Sequence, residues 1–172
     1  HSIVIDSKSF LTLKESGLYN VNYIANPLGL DVEQKMNENA GKKQNRIHGR
    51  LVYVGHIVKS KGIYELIKAC IAVPKLTELH LIGPCEDNVK KELKSLAEKR
   101  NKGRWLKFSG ELNKEQVLQY LSESPILTLP SHTEGFPNAV LEGMAMGCAV
   151  IATDVGAIPE MLDVQSDKPC GI

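Results

Sequence analysis

Two carboxylates, Glu134 and Glu142, stand eight positions apart in EGFPNAVLEGMAMG (134–147). Pro137 suits the first position of a helix, where its fixed φ and missing N–H cost nothing. Glu134 then falls in the loop at the helix mouth, and Glu142 falls inside the helix. The neighbours of Glu142 at i±3 and i±4 are Asn138, Ala139, Ala145 and Met146, and no Lys or Arg lies within helical reach. A carboxylate buried without partners either neutralises or finds donors. The vicinal hydroxyls of a ribose would supply two. The plainer alternatives are a Glu142 at a helix margin facing water, or one paired with a backbone amide. The amides of Gly135, Phe136 and Asn138 cluster at the same mouth and suit a phosphate or sugar oxygen.

A cation complements these acids. The stretch GHIVKSKG (55–62) follows a strand-like run, with Ser60 placed to cap a helix and Lys61 in its first turn. A lysine there opposes the helix dipole. The small penalty makes sense if an anion takes both the dipole and the lysine; otherwise Lys61 points to water.

The elements that must hold these groups follow from periodicity. Strand-like runs are RLVYVG (50–55), TELHLIG (77–83), WLKFSG (105–110), PILTLP (125–130) and CAVIAT (148–153). Between them, 61–73 carries Ile63, Leu66, Ile67, Cys70 and Ile71 at helical spacing, and 86–102 carries Val89, Leu93, Leu96 and Ala97. The helix over 113–122 has Asn113 as its N-cap, with Val117, Leu118 and Leu121 facing in. The 134–147 helix and a short one over about 156–162 complete the set. Alternating strand and helix predicts an α/β, doubly wound parallel sheet of the Rossmann-like kind. The last two strands are apolar on both sides of the pleat, as expected where helices cover both faces. In such sheets ligands bind beyond the carboxyl ends of the strands. Three of these ends carry Gly55, Gly83 and Gly110, as turn glycines or as sites of close backbone approach. Upstream, SIVID, KSFLTLKESG and VNYIAN read as strand, helix and strand, and 31–49 as an exposed linker.

Several function classes are disfavoured. There is no GxGxxG and no GxxxxGK[ST]. The four cysteines and five histidines fit no metal spacing, so no metal is expected. Aromatic residues are 5% of the chain, which argues against a nucleic-acid surface. No apolar run approaches the roughly 18 residues of a membrane span, and a reducing cytoplasm is the expected compartment. Charge is segregated: 17 Lys and Arg against 7 acids over 35–107, then 8 acids and no Lys or Arg over 115–167. Solvated helix faces explain this; a site with cations on one side and carboxylates on the other also does.

The chain resembles the retaining glycosyltransferases of the GT-B fold, the group 1 family that includes sucrose-phosphate synthase-like and lipopolysaccharide or capsule sugar transferases. The likeness runs through IANPLGLD (24–31), LVYVGHIVKSKG, LHLIGP, LKFSGEL and LPSHTEGFPNAVLEGMAMGCAVIATDVGAIPE. The spacing of Glu134 and Glu142, with its PS and EGFP flanks and the GAIPE that follows, is the family's signature. The resemblance implies that Lys61 contacts the donor diphosphate, that Glu142 holds the ribose hydroxyls, and that Glu134 with Gly135, Phe136, Pro137 and Asn138 holds the transferred sugar. Gly55 and His56 would lie at the diphosphate, and Gly110 and Leu112 where the nucleobase meets backbone. The family usually has Arg where this chain has His56. Histidine lacks Arg's bidentate fork, so either leaving-group stabilisation is weaker here or another cation, such as Lys59, helps.

The resemblance further implies transfer of a sugar from a nucleotide-diphosphate sugar without a metal or other cofactor. The acceptor would be a glycan or a lipid-linked glycan, bound by a separate N-terminal domain. On this reading residues 1–20 are the tail of that domain and 21–172 the nucleotide-sugar-binding domain, cut short at its end and inactive alone. Any contact with the inner membrane face would belong to the full-length protein. The competing readings are a 2-epimerase of the same fold and a non-catalytic α/β nucleotide-binding or signalling module. A phospho-receiver needs an Asp at the end of a central strand, where this chain has glycines.

Overall fold

The structure is a computed structural model and describes residues 45–164, the short segments 2–4, 7–17 and 21–23, and residue 37. Near the start, β1 (Ser2–Val4) pairs in parallel with β2 (Val21–Tyr23), and α1 (Ser7–Glu15) connects them. The strand, helix and strand expected here are present, and the boundary expected at residue 20 falls between α1 and β2. Most of the linker expected over 31–49 lies outside the described residues.

The main body is a five-stranded, wholly parallel sheet. Its strands are β3 (Arg50–Val54), β4 (Glu78–Ile82), β5 (Leu106–Gly110), β6 (Ile126–Leu129) and β7 (Ala149–Ala152). The order β5-β4-β3-β6-β7 reverses direction at β3. The crossovers are α2 (Ile63–Ile71), α3 (Asp87–Ala97), α4 (Lys114–Glu123) and α5 (Asn138–Ala145), followed by the short α6 (Ile158–Met161). All five strands expected from the pattern are found. Short parallel strands buried on both faces explain the continuous apolar runs: Leu79, Leu81 and Ile82 of β4 and Leu127 and Leu129 of β6 are almost fully buried.

The helices begin and end for identifiable reasons. Asn113 caps α4 in a reciprocal box: its side chain accepts from the Gln116 amide, and the Gln116 side chain accepts from the Asn113 amide. The expected 86–102 helix stops earlier, at Ala97; Asn101 turns to φ 48° and a single 3₁₀ turn spans Asn101–Gly103. Arg46 donates to the carbonyls of Ser124, Met146 and Gly147, where the chain leaves α4 and α5, so one cation satisfies the exposed carbonyls of two helix ends.

Three sequence expectations are corrected. Ser60 does not cap α2: Lys59–Lys61 form a 3₁₀ turn, and Gly62, in the left-handed region, is the N-cap. Lys61 therefore precedes α2 instead of lying in its first turn. Pro137 is the N-cap of α5, with an extended ψ of 109°, and the helix starts at Asn138. Finally, β7 is not covered on both faces: Val150 is buried but Ile151 is 46% exposed, because no described element packs on that side of this edge strand.

At the amino edge of the sheet, Arg50 is buried and pairs with Glu78 and Glu123, with its guanidinium 5.8 Å from the Tyr120 ring centroid. His80 Nε2 lies 3.2 Å from Glu78 Oε2, outside good hydrogen-bond alignment. Burial pushes the Glu78 carboxyl up, but the Arg50 hydrogen bond and neighbouring His80 outweigh it and hold the group below its ordinary value. A depressed folded pKa stabilises the fold above the unfolded value, and this contribution is lost as pH falls through the folded value. Glu78→Gln should thus cost about 2 kcal/mol at pH 7, since Arg50 keeps only Glu123. The difference from the parent should shrink below pH ~4. Urea unfolding across pH 3–7 measures both; a pH-independent difference would refute the assignment.

Candidate functional site

At the carboxyl edge of the sheet the chain lines a cavity of about 320 Å³. It opens where the strand order reverses, between β3 and β6, the position at which open α/β sheets bind ligands. Seven of the residues singled out from sequence meet there: Gly55, His56, Lys61, Glu134, Pro137, Asn138 and Glu142. Gly110, Leu112, Gly135 and Phe136 do not line it. A second hollow of about 350 Å³ lies at the opposite edge, with mostly apolar walls that include Leu51, Val73, Leu76 and Ile126. It gathers none of the groups with candidate chemistry.

Lys61 and Glu134 form the centre of the site. Lys61 Nζ donates to Glu134 Oε1 at 2.8 Å and to the Thr133 carbonyl at 3.2 Å. Ser131, fully buried two residues past β6, donates from Oγ to the same Oε1 at 2.6 Å. Glu134 Oε2 receives no hydrogen bond among the described residues, and an ammonium has three protons of which Lys61 uses two here. The pair is thus held from one side and keeps an acceptor and a donor for something else. The supporting loop is itself tied down: Thr153 Oγ1 donates to the Ser131 carbonyl at 2.5 Å, the Ala157 amide to the Gly135 carbonyl at 2.8 Å, and the His132 amide to the Ser60 carbonyl at 3.0 Å. The last of these joins the Lys61 turn directly to the Glu134 loop. The amides of Gly135 and Phe136 donate to no other backbone group among the described residues.

Tyr53 forms part of the wall and was missed by the sequence reading. Its hydroxyl donates to the His56 carbonyl at 2.9 Å and so fixes the turn that follows β3. Burial first, and the charge of Glu134 second, push the phenol well above its ordinary value, so it remains a donor at neutral pH. An aromatic two residues before the terminal glycine of the first strand was the available signal. Ser131 was also missed, although it stands three residues before Glu134 in the PS flank.

The expectation that Glu142 has little polar company is overturned. Glu142 is 7% exposed and lines the cavity, but Lys114, from the first turn of α4, donates to its Oε1. Spacing along the helix that carries Glu142 reveals only partners on that same helix. The partner comes from the neighbouring helix, 28 residues upstream, and is the last cation before the all-acidic stretch over 115–167.

Residues 33–168 match the model of the family described as glycosyl transferases group 1. The chain belongs to this family. A Bacillus subtilis (strain 168) glycosyltransferase, TuaC, whose name refers it to teichuronic acid biosynthesis, is 33% identical over 110 residues, covering 64% of this chain and 26% of the relative. Among solved structures, sucrose-phosphate synthase from Thermosynechococcus elongatus superposes with a TM-score of 0.76 at 23% identity, over 93% of this chain and 42% of that one. Anabaena HepE in complex with UDP-glucose gives 0.72 at 19% identity, over 92% of this chain and 46% of that one. At these identities the two structures bear on the fold alone, which is Rossmann-like and matches one half of the GT-B fold. The chain spans about a quarter to a third of the length of the curated relatives it matches. Among the described residues no helix is long and apolar enough to cross a membrane, and no cluster of three or more His, Cys, Asp or Glu side chains could hold a metal ion.

Proposed function

We propose that this group 1 chain is the donor-binding part of a retaining glycosyltransferase that moves a sugar from a nucleotide-diphosphate sugar to a glycan or lipid-linked acceptor in polysaccharide assembly. The observation that carries this reading is the meeting of Lys61, Glu134 and Glu142 in one cavity at the strand-order reversal. Departure of a nucleoside diphosphate builds negative charge on its phosphates, and a pre-placed ammonium with free backbone amides stabilises that charge without reorganisation. Lys61 and the amides of Gly135 and Phe136 answer to this need. Glu134 Oε2 is placed to accept from sugar hydroxyls and to favour a cationic anomeric centre. Glu142 accepts the ribose hydroxyls. Gly110 and Leu112, outside the cavity wall, border the nucleobase. The complex of HepE with UDP-glucose supports a nucleotide-sugar donor, and the TuaC name supports a polysaccharide context. The proposal needs no metal, and it assigns the acceptor to a second domain with residues 1–20 as its tail.

Titration of the ¹⁵N-labelled chain with UDP, GDP and ADP tests this. At least one should shift resonances around Gly55, Lys61 and Gly135, and Glu142→Ala should weaken that binding at least about tenfold. Absence of binding by all three, or indifference to Glu142→Ala, would defeat the reading.

A further inference from the structure

Lys114 belongs to no motif that marks the site, yet it is the partner of the buried Glu142. Its own side chain is 43% exposed, against 10% for that of Glu142. The asymmetry matters. A lysine that needed only solvation would extend into water, where its charge is better hydrated. Here the ammonium instead turns onto a carboxylate that lines the cavity. It occupies Oε1, and no described residue donates to Oε2. The backbone of Lys114 is fixed by the reciprocal box of Asn113, directly before it, and Gln116, two residues after it. Its placement at the first turn of α4 opposes the helix dipole, so local helix energetics do not explain it.

We propose that Lys114 is a positioning residue that makes the site selective for ribonucleotides over 2′-deoxyribonucleotides. The inference rests on the donor-site reading above and names the device that reads the sugar of the nucleotide. An ionised carboxylate accepts shorter and stronger hydrogen bonds than a neutral one. Lys114 offsets the cost of keeping Glu142 ionised while buried, and it fixes the carboxylate plane by holding one oxygen. The other oxygen is then presented to a vicinal diol. Because Lys114 follows Leu112 by two residues, the loop that borders the nucleobase and the group that grips the ribose are set by the same helix start. A nucleotide without the 2′-hydroxyl keeps only its 3′-hydroxyl as a donor and gains less from this arrangement.

The test compares the parent chain with K114M, K114Q and K114R, titrating each with whichever of UDP, GDP and ADP binds the parent and with its 2′-deoxy counterpart. The parent should prefer the ribonucleotide. K114M should weaken ribonucleotide binding about tenfold while leaving the deoxy form within about twofold, so the preference collapses. K114R should keep most of the preference, and K114Q should fall between; these two also decide the matter should K114M fold poorly. Equal losses for both nucleotides would show that Lys114 serves the phosphates or the fold, and would overturn the proposal. An unchanged preference in K114M, or no preference in the parent, would do the same. Failure of every nucleotide to bind the parent is a different result, which removes the donor-site reading and this one with it.

Discussion

In a transferase that pairs this chain with an acceptor-binding domain, as proposed above, Lys61→Met should lower kcat by about 10²–10³-fold with a smaller change in the KM for the donor. The expectation follows from where the charge is needed. A ground-state diphosphate already carries charge, but bond cleavage adds more on the oxygen that leaves, and a pre-placed ammonium gains most at that moment. Lys61 is anchored by Glu134 Oε1 and the Thr133 carbonyl, so its position does not have to be found during reaction. Glu134→Gln should give a loss of similar size by a different route: it weakens the electrostatic favour shown to a cationic sugar and loosens Lys61. Because both residues meet at Oε1, the double variant should fall well short of the product of the two single losses. Steady-state kinetics on the four proteins, with urea midpoints as a control for folding, measure this. Independent, multiplicative losses would mean that the ion pair is not the working unit. A Lys61→Met enzyme with unchanged kcat would remove Lys61 from the chemistry altogether.

What sequence could reveal is divided by distance along the chain. Periodicity within a segment placed all five strands of the main sheet, and the Asn113 cap was legible because its partner, Gln116, is three residues away. The coming together of Lys61 and Glu134 was legible only through fold class, since a parallel sheet brings successive carboxyl ends to one edge. The partner of Glu142 was not legible, because helix–helix docking brings Lys114 to it and no pattern inside α5 records which neighbour lies alongside. Tyr53 was hidden for a related reason: it looks like any apolar strand residue until its hydroxyl is seen on the His56 carbonyl. The start of α2 was misplaced because Ser60 is a favoured residue type for a cap directly before an apolar helical pattern. Gly62 takes the role instead, and its reason is tertiary.

That reason yields a large stability effect for a single added methyl. Gly62 has φ 66°, and a Cβ added there would stand 1.9 Å from the Pro130 carbonyl oxygen. Two costs add: about 1–2 kcal/mol for an L side chain in the left-handed region, and about 1–3 kcal/mol for the backbone shift that relieves the clash. A smaller loss of freedom in the unfolded chain works the other way, by about 0.4–1 kcal/mol. Gly62→Ala should therefore destabilise by about 3 kcal/mol in urea unfolding. Gly110→Ala separates the two terms: φ there is 70°, but nothing lies within 4 Å of an added Cβ, so only the conformational cost applies and about 1 kcal/mol is expected. Equal effects at the two positions would show that contact with Pro130 contributes nothing. The close approach has a functional side. Pro130 precedes Ser131, the buried donor to Glu134, and Gly62 follows Lys61, so the glycine sets the spacing between the two halves of the ion pair. A folded Gly62→Ala protein should consequently lose nucleotide binding out of proportion to its population of native molecules, whereas Gly110→Ala, outside the cavity wall, should keep the Lys61 and Glu134 resonances unshifted.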